Sequence, residues 1–463
     1  MIGVIGVVIS LLLLIYLAYK GWSVILIAPV LALVAALFVL FEGGSFHIMA
    51  IYTETFMPNL AAYVKANFPV FLLGAVFGKV MDLSGCAKAI AEFIVKKSGT
   101  GKEIIAVVLA CAVITYGGVS LFVAAFAIYP IGAALFRASD VPKRLLPPAI
   151  ALGAFTFTMT ALPGTPQIQN AIPMRYFGTD AFAAPVLGII AALIELILGL
   201  LWLQNRLKKA KEKGEGYGDH PNEQLAVIDE SKLPPFWVSI APIILVIVAN
   251  LLCSKWILPS MNHSYLETDF GTEYSAVGGT WSLIIGLVLG IGLAIALNVK
   301  RFENGIPEAL KAGANNSLLA ILNTASEVGY GNVIKTLPAY LLLATGLLGI
   351  SSNPLIGEAI ASSVMAGVTG SASGGLSIAL ETFAPQFMEM ADSAGISYEA
   401  LHRIAAVACG GLDTLPHNGA VITLLMATSM THKQSYMNIG MCTVVIPTIA
   451  TIAIIILATF GVC

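Results

Sequence analysis

The chain has 463 residues, of which 58% are hydrophobic and only 11% are charged. A soluble domain carries about 25% charged residues, so this composition excludes a soluble protein and indicates one embedded in lipid. The formal net charge of −2 and the absence of a basic region exclude a nucleic-acid-binding protein, so we expect no nucleic-acid partner.

Residues 1–58 are predicted to form N-terminal transmembrane helices. Apolar blocks of about 17 to 25 residues, the length that crosses a bilayer, recur from here to the end of the chain. The first block, residues 2–19, has neither a basic n-region nor the small-residue cleavage site of a signal peptide. We therefore expect it to be retained as a membrane span.

The basic residues predict the orientation of the chain. Of the 24 Lys and Arg residues, 18 fall on connections that can be placed on one side of the membrane, and the positive-inside rule makes that side cytoplasmic. Arg175 and Arg403 fall toward the external ends of their segments. This assignment places both termini outside and predicts a multi-pass protein of a bacterial inner membrane, with the lipid bilayer as its surroundings.

One interval does not fit two simple spans. Lys102 and Arg137 are both predicted to be cytoplasmic, but only 34 residues separate them. Two full crossings need about 40 residues and a turn. Because the middle of the interval is a flexible Gly-Gly-Val-Ser segment, residues 117–120, we predict a re-entrant hairpin that turns inside the membrane where protein or a watery cavity covers it.

The same features recur in the second half of the chain. The Leu-Pro pair at 162–163 returns at 415–416, and the Gly-Gly-x-Ser segment of the first hairpin returns at 374–377. The second hairpin is flanked by the Lys-poor side, so the two copies should face opposite ways. Inverted repeats with broken helices are typical of secondary transporters. Coincidental matches of Gly and Pro residues are the simpler alternative.

These observations predict an all-α polytopic membrane protein with two inverted repeats. Each repeat contains a re-entrant hairpin and a broken transmembrane helix. The predicted regions are N-terminal transmembrane helices at 1–58, a first inverted repeat at 59–205, a cytoplasmic linker at 206–235, a transmembrane helix pair and loop at 236–312, and a second inverted repeat at 313–463.

The hairpin tips and the broken spans are the predicted substrate site. The N-termini of half-helices present free N–H groups and a positive dipole end, and glycine-rich tips let those groups approach an anion. Ser and Thr hydroxyls at these places could add donors or could bond back within their own helices. The predicted substrate-binding residues are Gly117, Gly118, Ser120, Thr165, Gln167, Ser371, Ser373, Gly374, His417 and Asn418.

Asp413 and His417 are the predicted proton-coupling residues. They are four residues apart across the second Leu-Pro pair, so they share one face if the segment is helical. Ionisable groups inside a membrane span are costly and usually functional, and a histidine can load and unload protons near neutral pH. The alternative is a buried hydrogen bond that only props the break open. Glu327 and Glu195 are weaker candidates.

Several segments resemble the gluconate:proton symporter (GntP-type) family of bacterial permeases, within the ion-transporter superfamily. The resemblance covers nearly the whole chain and is carried by residues 117–123, 163–170, 177–185 and 413–420. It implies uptake of a small hydroxylated carboxylate with protons. By analogy with the wider superfamily, it also implies a homodimer in which a transport domain moves like an elevator against a scaffold.

One segment departs from the family pattern. Gluconate-type members carry a His-Pro-Gly-Pro-like first break, where this chain has Pro163-Gly164-Thr165-Pro166. The departure argues against gluconate and favours a shorter acid such as 3-hydroxybutyrate. Because no Arg or Lys is predicted within the tips or breaks, helix termini must balance the substrate charge, so a monocarboxylate should be preferred over a dicarboxylate.

The predicted function is proton-coupled uptake of a small hydroxy monocarboxylate, a small organic anion of the gluconate or 3-hydroxybutyrate type. A sodium-coupled carboxylate transporter and, less favoured, an anion channel are the alternatives. No hydrolase, metalloprotease, nucleotide-binding or cofactor motif occurs in the sequence, and its six cysteines lack metal-binding spacing. We therefore expect no enzyme activity, catalytic residue, cofactor or metal.

Overall fold

The computed structural model describes residues 2–463 except residues 21, 43–45, 100, 120, 221–232, 303–304, 340–348, 350 and 417. Every regular element in the described part is a helix. The helices in chain order are α1 Ile2–Tyr19, α2 Val24–Leu37, α3 Ile48–Leu83, α4 Cys86–Ser98, α5 Glu103–Tyr116, α6 Leu121–Ala138, α7 Leu146–Ala154, α8 Phe157–Thr160, α9 Ile168–Phe177, α10 Pro185–Glu212, α11 Phe236–Ile257, α12 Ser264–Phe270, α13 Tyr274–Asn298, α14 Ile306–Lys335, α15 Pro354–Thr369, α16 Ala372–Ala394, α17 Tyr398–Cys409, α18 Gly419–Ala427 and α19 His432–Thr459.

Long apolar helices confirm that the chain is a multi-pass membrane protein. Within the described residues, six helices are long and apolar enough to cross a bilayer. In α10, Leu193, Ile197 and Leu201 are 49%, 51% and 62% exposed, whereas Leu187 and Ala191 on another side are fully buried. Large exposed apolar side chains along one side of a helix are stable against lipid tails, so α10 has a lipid side and a protein side.

The long helices pack against one another. Helix α3 lies along α14, α13 packs against α11 and α3, and α2 packs on α14. Small residues permit the close approach of α13 to α11, because a Cβ atom on Gly286 would lie 2.8 Å from the carbonyl oxygen of Val246. Close packing of small residues is a common basis for helix association in membranes.

Two helical hairpins stand where the sequence predicted them. The first joins α5 to α6 through Gly117 and Gly118, and the second joins α15 to α16 through Gly370 and Ser371. Helix α5 has 14 residues and so rises about 21 Å, which is shorter than a bilayer core of about 30 Å. In the second hairpin a Cβ on Gly375 would overlap the backbone of Ala366, so the two arms require glycine there.

Each half of the chain also contains an interrupted helix, as predicted. The helical path through α7 and α8 ends at Thr160 and resumes at Ile168, and α17 ends at Cys409 before α18 begins at Gly419. The half-helix that follows each break packs against the hairpin of the other half of the chain. Helix α9 lies against α16 of the second hairpin, and α18 lies against α6 of the first hairpin.

Candidate substrate and proton site

The first break is bonded to the tip of the first hairpin. The side-chain amide of Gln167, at the N-terminus of α9, donates to the carbonyl oxygens of Thr115 at 2.7 Å and Val119 at 3.1 Å. The Tyr116 hydroxyl donates in return to the carbonyl oxygen of Pro163 at 2.8 Å. We call this contact the first junction. Gln167 was predicted to bind substrate, but its Nε2 donors are used to hold the tip.

The other predicted residues of the first junction are closely packed. Gly118 has a φ of 96°, a conformation that favours glycine, and a Cβ there would lie 2.6 Å from Pro166. Thr165 is fully buried, and its hydroxyl lies 3.4 Å from the carbonyl oxygen of Tyr116. Ser120 lies outside the described residues. The tip and the break therefore form one compact unit in this structure.

The second break is bonded to the second tip in the same way. The Asn418 amide, at the N-terminus of α18, donates to the carbonyl oxygens of Gly370 and Asp413, both at 2.8 Å. Its oxygen accepts from the backbone N–H groups of Ala420 at 2.6 Å and Val421 at 3.0 Å. Asn418 thus caps α18 and holds the tip at the same time. We call this contact the second junction.

The tip serines begin α16. The Ser371 hydroxyl accepts from the backbone N–H of Gly374 at 3.1 Å, which caps the helix, and it lies 3.5 Å from the hydroxyl of Ser373. These hydroxyls keep capacity for a ligand because an oxygen that accepts one hydrogen bond can still donate its own proton. His417, predicted both to bind substrate and to carry protons, lies outside the described residues.

Two buried carboxyl groups lie at the second junction. Glu327 of α14 abuts Gly374, because a Cβ on that glycine would run into the carboxylate. Asp413 lies in the break itself rather than on a helix. Both residues are about 95% buried, and within the described residues Glu327 Oε2 and Asp413 Oδ1 have no hydrogen-bond partner.

Two further carboxyl groups are fully buried away from these contacts. Glu195 lies on α10, and Glu358 lies on α15, the first arm of the second hairpin. Neither has a hydrogen-bond partner for either oxygen among the described residues. Sequence reasoning named Glu195 as a weaker candidate and missed Glu358. The useful indication would have been a lone acidic residue in an otherwise apolar helix.

Arg403 corrects one sequence-based expectation. No Arg or Lys was predicted within the tips or breaks, but Arg403 is fully buried beside the first break. Its guanidinium donates to the carbonyl oxygen of Thr160 at 3.2 Å, to Asn170 Oδ1 at 2.9 Å and to the carbonyl oxygen of Ala183 at 2.8 Å. The prediction was wrong because α17 carries this residue across to the other half of the molecule.

Asn170 of α9 is the centre of this network. Its Nδ2 donates to the carbonyl oxygens of Thr165 and Ala181, both at 2.9 Å, while His402 Nε2 lies 3.2 Å from its Oδ1. Because Oδ1 can only accept, His402 carries a proton on Nε2, and its Nδ1 accepts from the Thr179 hydroxyl at 2.6 Å. The segment 177–185 singled out in the sequence therefore supplies backbone carbonyl groups to the buried cation.

Interrupted helices, two helical hairpins and several apolar spans are typical of a membrane transporter. A model of the GntP family of permeases matches residues 2–460. The chain therefore belongs to that family, and it is a permease rather than an enzyme. The family resemblance inferred from the tip and break segments is confirmed.

Relatives of known sequence are also described as transporters. An uncharacterized transporter, YxjC, of Bacillus subtilis is 43% identical over 463 residues, covering 97% of this chain and 97% of that protein. An uncharacterized permease of Haemophilus influenzae is 25% identical over 316 residues, covering 65% of this chain and 62% of its own length. These relatives place the chain among membrane transporters of small solutes.

Two solved structures share the fold. The Alcanivorax borkumensis YdaH transporter, described as having an unusual topology, aligns with a TM-score of 0.56 at 15% identity over 89% of this chain and 88% of its own. Neisseria gonorrhoeae MtrF, described as illuminating a class of antimetabolite efflux pumps, aligns with a TM-score of 0.56 at 14% identity over 90% and 84%. At such low identity the likeness concerns the fold alone.

Proposed function

We propose that this permease is a secondary active transporter that takes up a small hydroxy monocarboxylate together with protons. The proposed location is a bacterial inner membrane, with both termini outside. The observation that carries the proposal is the second junction, where a hairpin tip, a helix break and two buried carboxyl groups meet. A channel would instead keep a continuous polar pore, and close-packed tips and breaks do not favour one.

The proposal includes two inverted repeats. In each half a side-chain amide at the start of the second half-helix, Gln167 or Asn418, donates to a carbonyl group of the adjacent hairpin tip. The crosswise packing of α9 on α16 and of α18 on α6 relates the halves reciprocally. Matching contacts in the two halves support two inverted repeats that exchange conformations when the site opens to one side of the membrane or the other.

The coupling proton is proposed to use the carboxyl groups of the second junction together with His417, the other residue predicted to carry protons. A carboxyl oxygen without a hydrogen-bond partner makes its group costly to keep charged in a low-dielectric site. Binding and release of a proton there is therefore coupled to binding of the substrate. Glu327 and Asp413 are buried, and each has one carboxyl oxygen without a hydrogen-bond partner among the described residues. Sodium held by the same oxygens is the second candidate coupling ion.

The proposed transport cycle is an elevator movement in a homodimer. The long helices α3, α11, α13 and α14 would form the scaffold, and the hairpins with the broken helices would form the moving part, whose second tip meets Glu327 of the scaffold helix α14 at Gly374. This division is supported by the compact junctions, which tie each tip to its break and let them move as one body. A rigid body carrying the site across the membrane needs such internal contacts.

Uptake by purified protein in proteoliposomes tests the function. Labelled 3-hydroxybutyrate or gluconate should accumulate when an inward proton gradient is imposed and should not accumulate with a sodium gradient alone. Replacing His417 with Gln keeps hydrogen bonding but removes titration, so concentrative uptake should be lost while exchange of labelled for unlabelled substrate persists. Accumulation driven by sodium alone would overturn proton coupling, and stronger competition by dicarboxylates would overturn the substrate class.

A further inference from the structure

We infer that a basic cavity at the ends of two membrane spans binds the phosphate group of an anionic phospholipid. The cavity has a volume of about 570 Å³, which is within the range of sites for small ligands. Its walls come mainly from the end of α3, the start of α4, the end of α13 and the start of α14. It is therefore separate from the hairpin tips and breaks, and the proposed transport function does not use it.

Side chains from three parts of the chain bring positive charge to this cavity. Lys79 lies on α3, Lys88 lies on α4, and Lys300 and Arg301 follow α13. These four basic side chains face two acidic ones among the described residues that line the cavity, which gives those residues a net charge of +2. Because two helices end and two begin here, their termini largely offset one another, and the side chains decide the charge.

The two acidic residues are engaged in ion pairs. Asp82 accepts from Lys79 at 2.9 Å, so this pair is neutral as a whole. Glu308 lies 3.8 Å from Lys311, a residue that does not line the cavity. Neither carboxylate is therefore left to neutralise the basic side chains that α4 and the end of α13 contribute.

Lys88 and Lys300 are the charges that a ligand can use. Neither has a hydrogen-bond or ion-pair partner in the part of the chain that the structure describes. Lys88 is half-buried, although lysines that leave the surface usually have a partner. An ammonium group offers three donors and no acceptor, so a phosphate, with several acceptor oxygens and a negative charge, matches both side chains.

The surroundings of the cavity favour a lipid as the source of the phosphate. Helices α3 and α13 are two of the apolar spans, and the cavity lies at their ends. Leu83, which lines the cavity, is 43% exposed, and Leu297 and Val299, just before Lys300, are 45% and 53% exposed. These side chains can contact acyl chains while the lysines bind the headgroup. Basic pockets between membrane helices on the cytoplasmic side, where the sequence places these residues, bind anionic headgroups in this way.

Thermal unfolding of the purified full-length protein in a neutral detergent, with increasing amounts of phosphatidylglycerol, tests the inference. A ligand that binds only the folded protein raises its melting temperature as its concentration exceeds Kd. The test variant combines Lys88→Gln with Lys300→Gln. One basic side chain near an anionic lipid surface changes binding about fivefold, so K88Q/K300Q should need about thirtyfold more lipid for the same rise.

The matched control combines Lys208→Gln with Lys209→Gln. Both lysines are exposed near the end of α10, outside the cavity, so K208Q/K209Q removes the same charge and should respond to the lipid like the wild type. K88R/K300R keeps both charges and should retain most of the response. Phosphatidylcholine, which has the phosphate but no net charge, should raise the melting temperature of the wild type much less than phosphatidylglycerol does.

Three outcomes would overturn the inference. An equal response of K88Q/K300Q and K208Q/K209Q to phosphatidylglycerol would show that the lipid does not act through this cavity. An equal response of the wild type to phosphatidylcholine would show that charge does not select the ligand. Soluble glycerol phosphate that raises the melting temperature at the same concentrations as phosphatidylglycerol would identify a site for free phosphate instead of a lipid. Because each response is measured against the lipid-free melting temperature of the same variant, a change in intrinsic stability does not alter the comparison.

Discussion

Asn418 offers the most direct test of the second junction. Its replacement by alanine removes the cap of α18, which costs about 1 kcal/mol. It also leaves the carbonyl oxygens of Gly370 and Asp413 without the donor that now lies 2.8 Å from each. Of the two residues only Asp413 is buried, and one unsatisfied buried group costs about 1–3 kcal/mol. We therefore expect N418A to lower the free energy of unfolding by about 2–4 kcal/mol.

Two other replacements separate the cap from the tip contact. Asn418→Ser keeps a capping oxygen but loses the Nδ2 donors, so it should recover only about 1 kcal/mol of the loss. Ser397 caps α17 by accepting from the backbone N–H of Ala400 at 3.2 Å, and it makes no contact with a tip. The Ser397 hydroxyl also lies 3.2 Å from Cys463 Sγ, so Ser397→Ala is the control for loss of a cap away from the tips, with an expected cost of about 1 kcal/mol.

The assay is thermal unfolding of purified protein in detergent, combined with substrate uptake after reconstitution. N418A and N418S should both lose uptake beyond what their stability explains, because the tip is released from its break. S397A should transport normally. If N418A were no less stable than S397A and transported equally well, the tip would not depend on Asn418, and the account of the second junction would be wrong.

Two further perturbations follow from the described contacts. Gly374→Ala should lower the melting temperature, because the new Cβ would run into the Glu327 carboxylate, and Glu327→Ala in the same chain should restore part of the loss. In the linker, the hydrogen bonds from Arg144 lower the pKa of Glu215. Their contribution to holding the linker against Arg144 should therefore be complete above about pH 4.3 and should be lost as the pH falls through the lowered pKa of Glu215. Because the Glu215 side chain is 38% exposed, Glu215→Gln should weaken the contact between the linker and Arg144 by less than about 1 kcal/mol and should remove its pH dependence. The measurement is hydrogen-exchange protection of the Tyr217 amide, which donates to Asp140. An unchanged melting temperature in G374A would contradict the contact between Gly374 and Glu327. The same acid response in E215Q would contradict the role of the contact between Arg144 and Glu215.

The sequence located the hairpins and breaks well because glycine and proline act locally. The Gly-Gly pair at 117–118 and the two Leu-Pro pairs lie where helices are interrupted, so the first turn and the breaks before Ile168 and Gly419 could be anticipated. The second Gly-Gly pair, 374–375, lies inside α16 instead, and the second turn is made by Gly370 and Ser371. The charge pattern added the constraint that the first interval was too short for two spans.

The sequence could not show where long side chains reach. Gln167 and Asn418 were predicted from their residue type, but their donors bind tips that are 48 to 52 residues away in the chain. Arg403 was assigned to the external end by counting along the sequence, whereas its partner Asn170 is 233 residues away. Contacts of this range depend on how the two halves pack together, which no local pattern encodes.

The two junctions differ in charge although their backbones are alike. The first has a buried cation, Arg403, and the second has two buried carboxyl groups, Glu327 and Asp413. In the proposed transport cycle the proton is taken up at the second junction. Because α9 and α18 each pack on the hairpin of the opposite half, we expect a shift at either junction to affect the other. An anion that travels with a proton carries no net charge through the membrane, which gives a physical reason for substrate and proton to travel together.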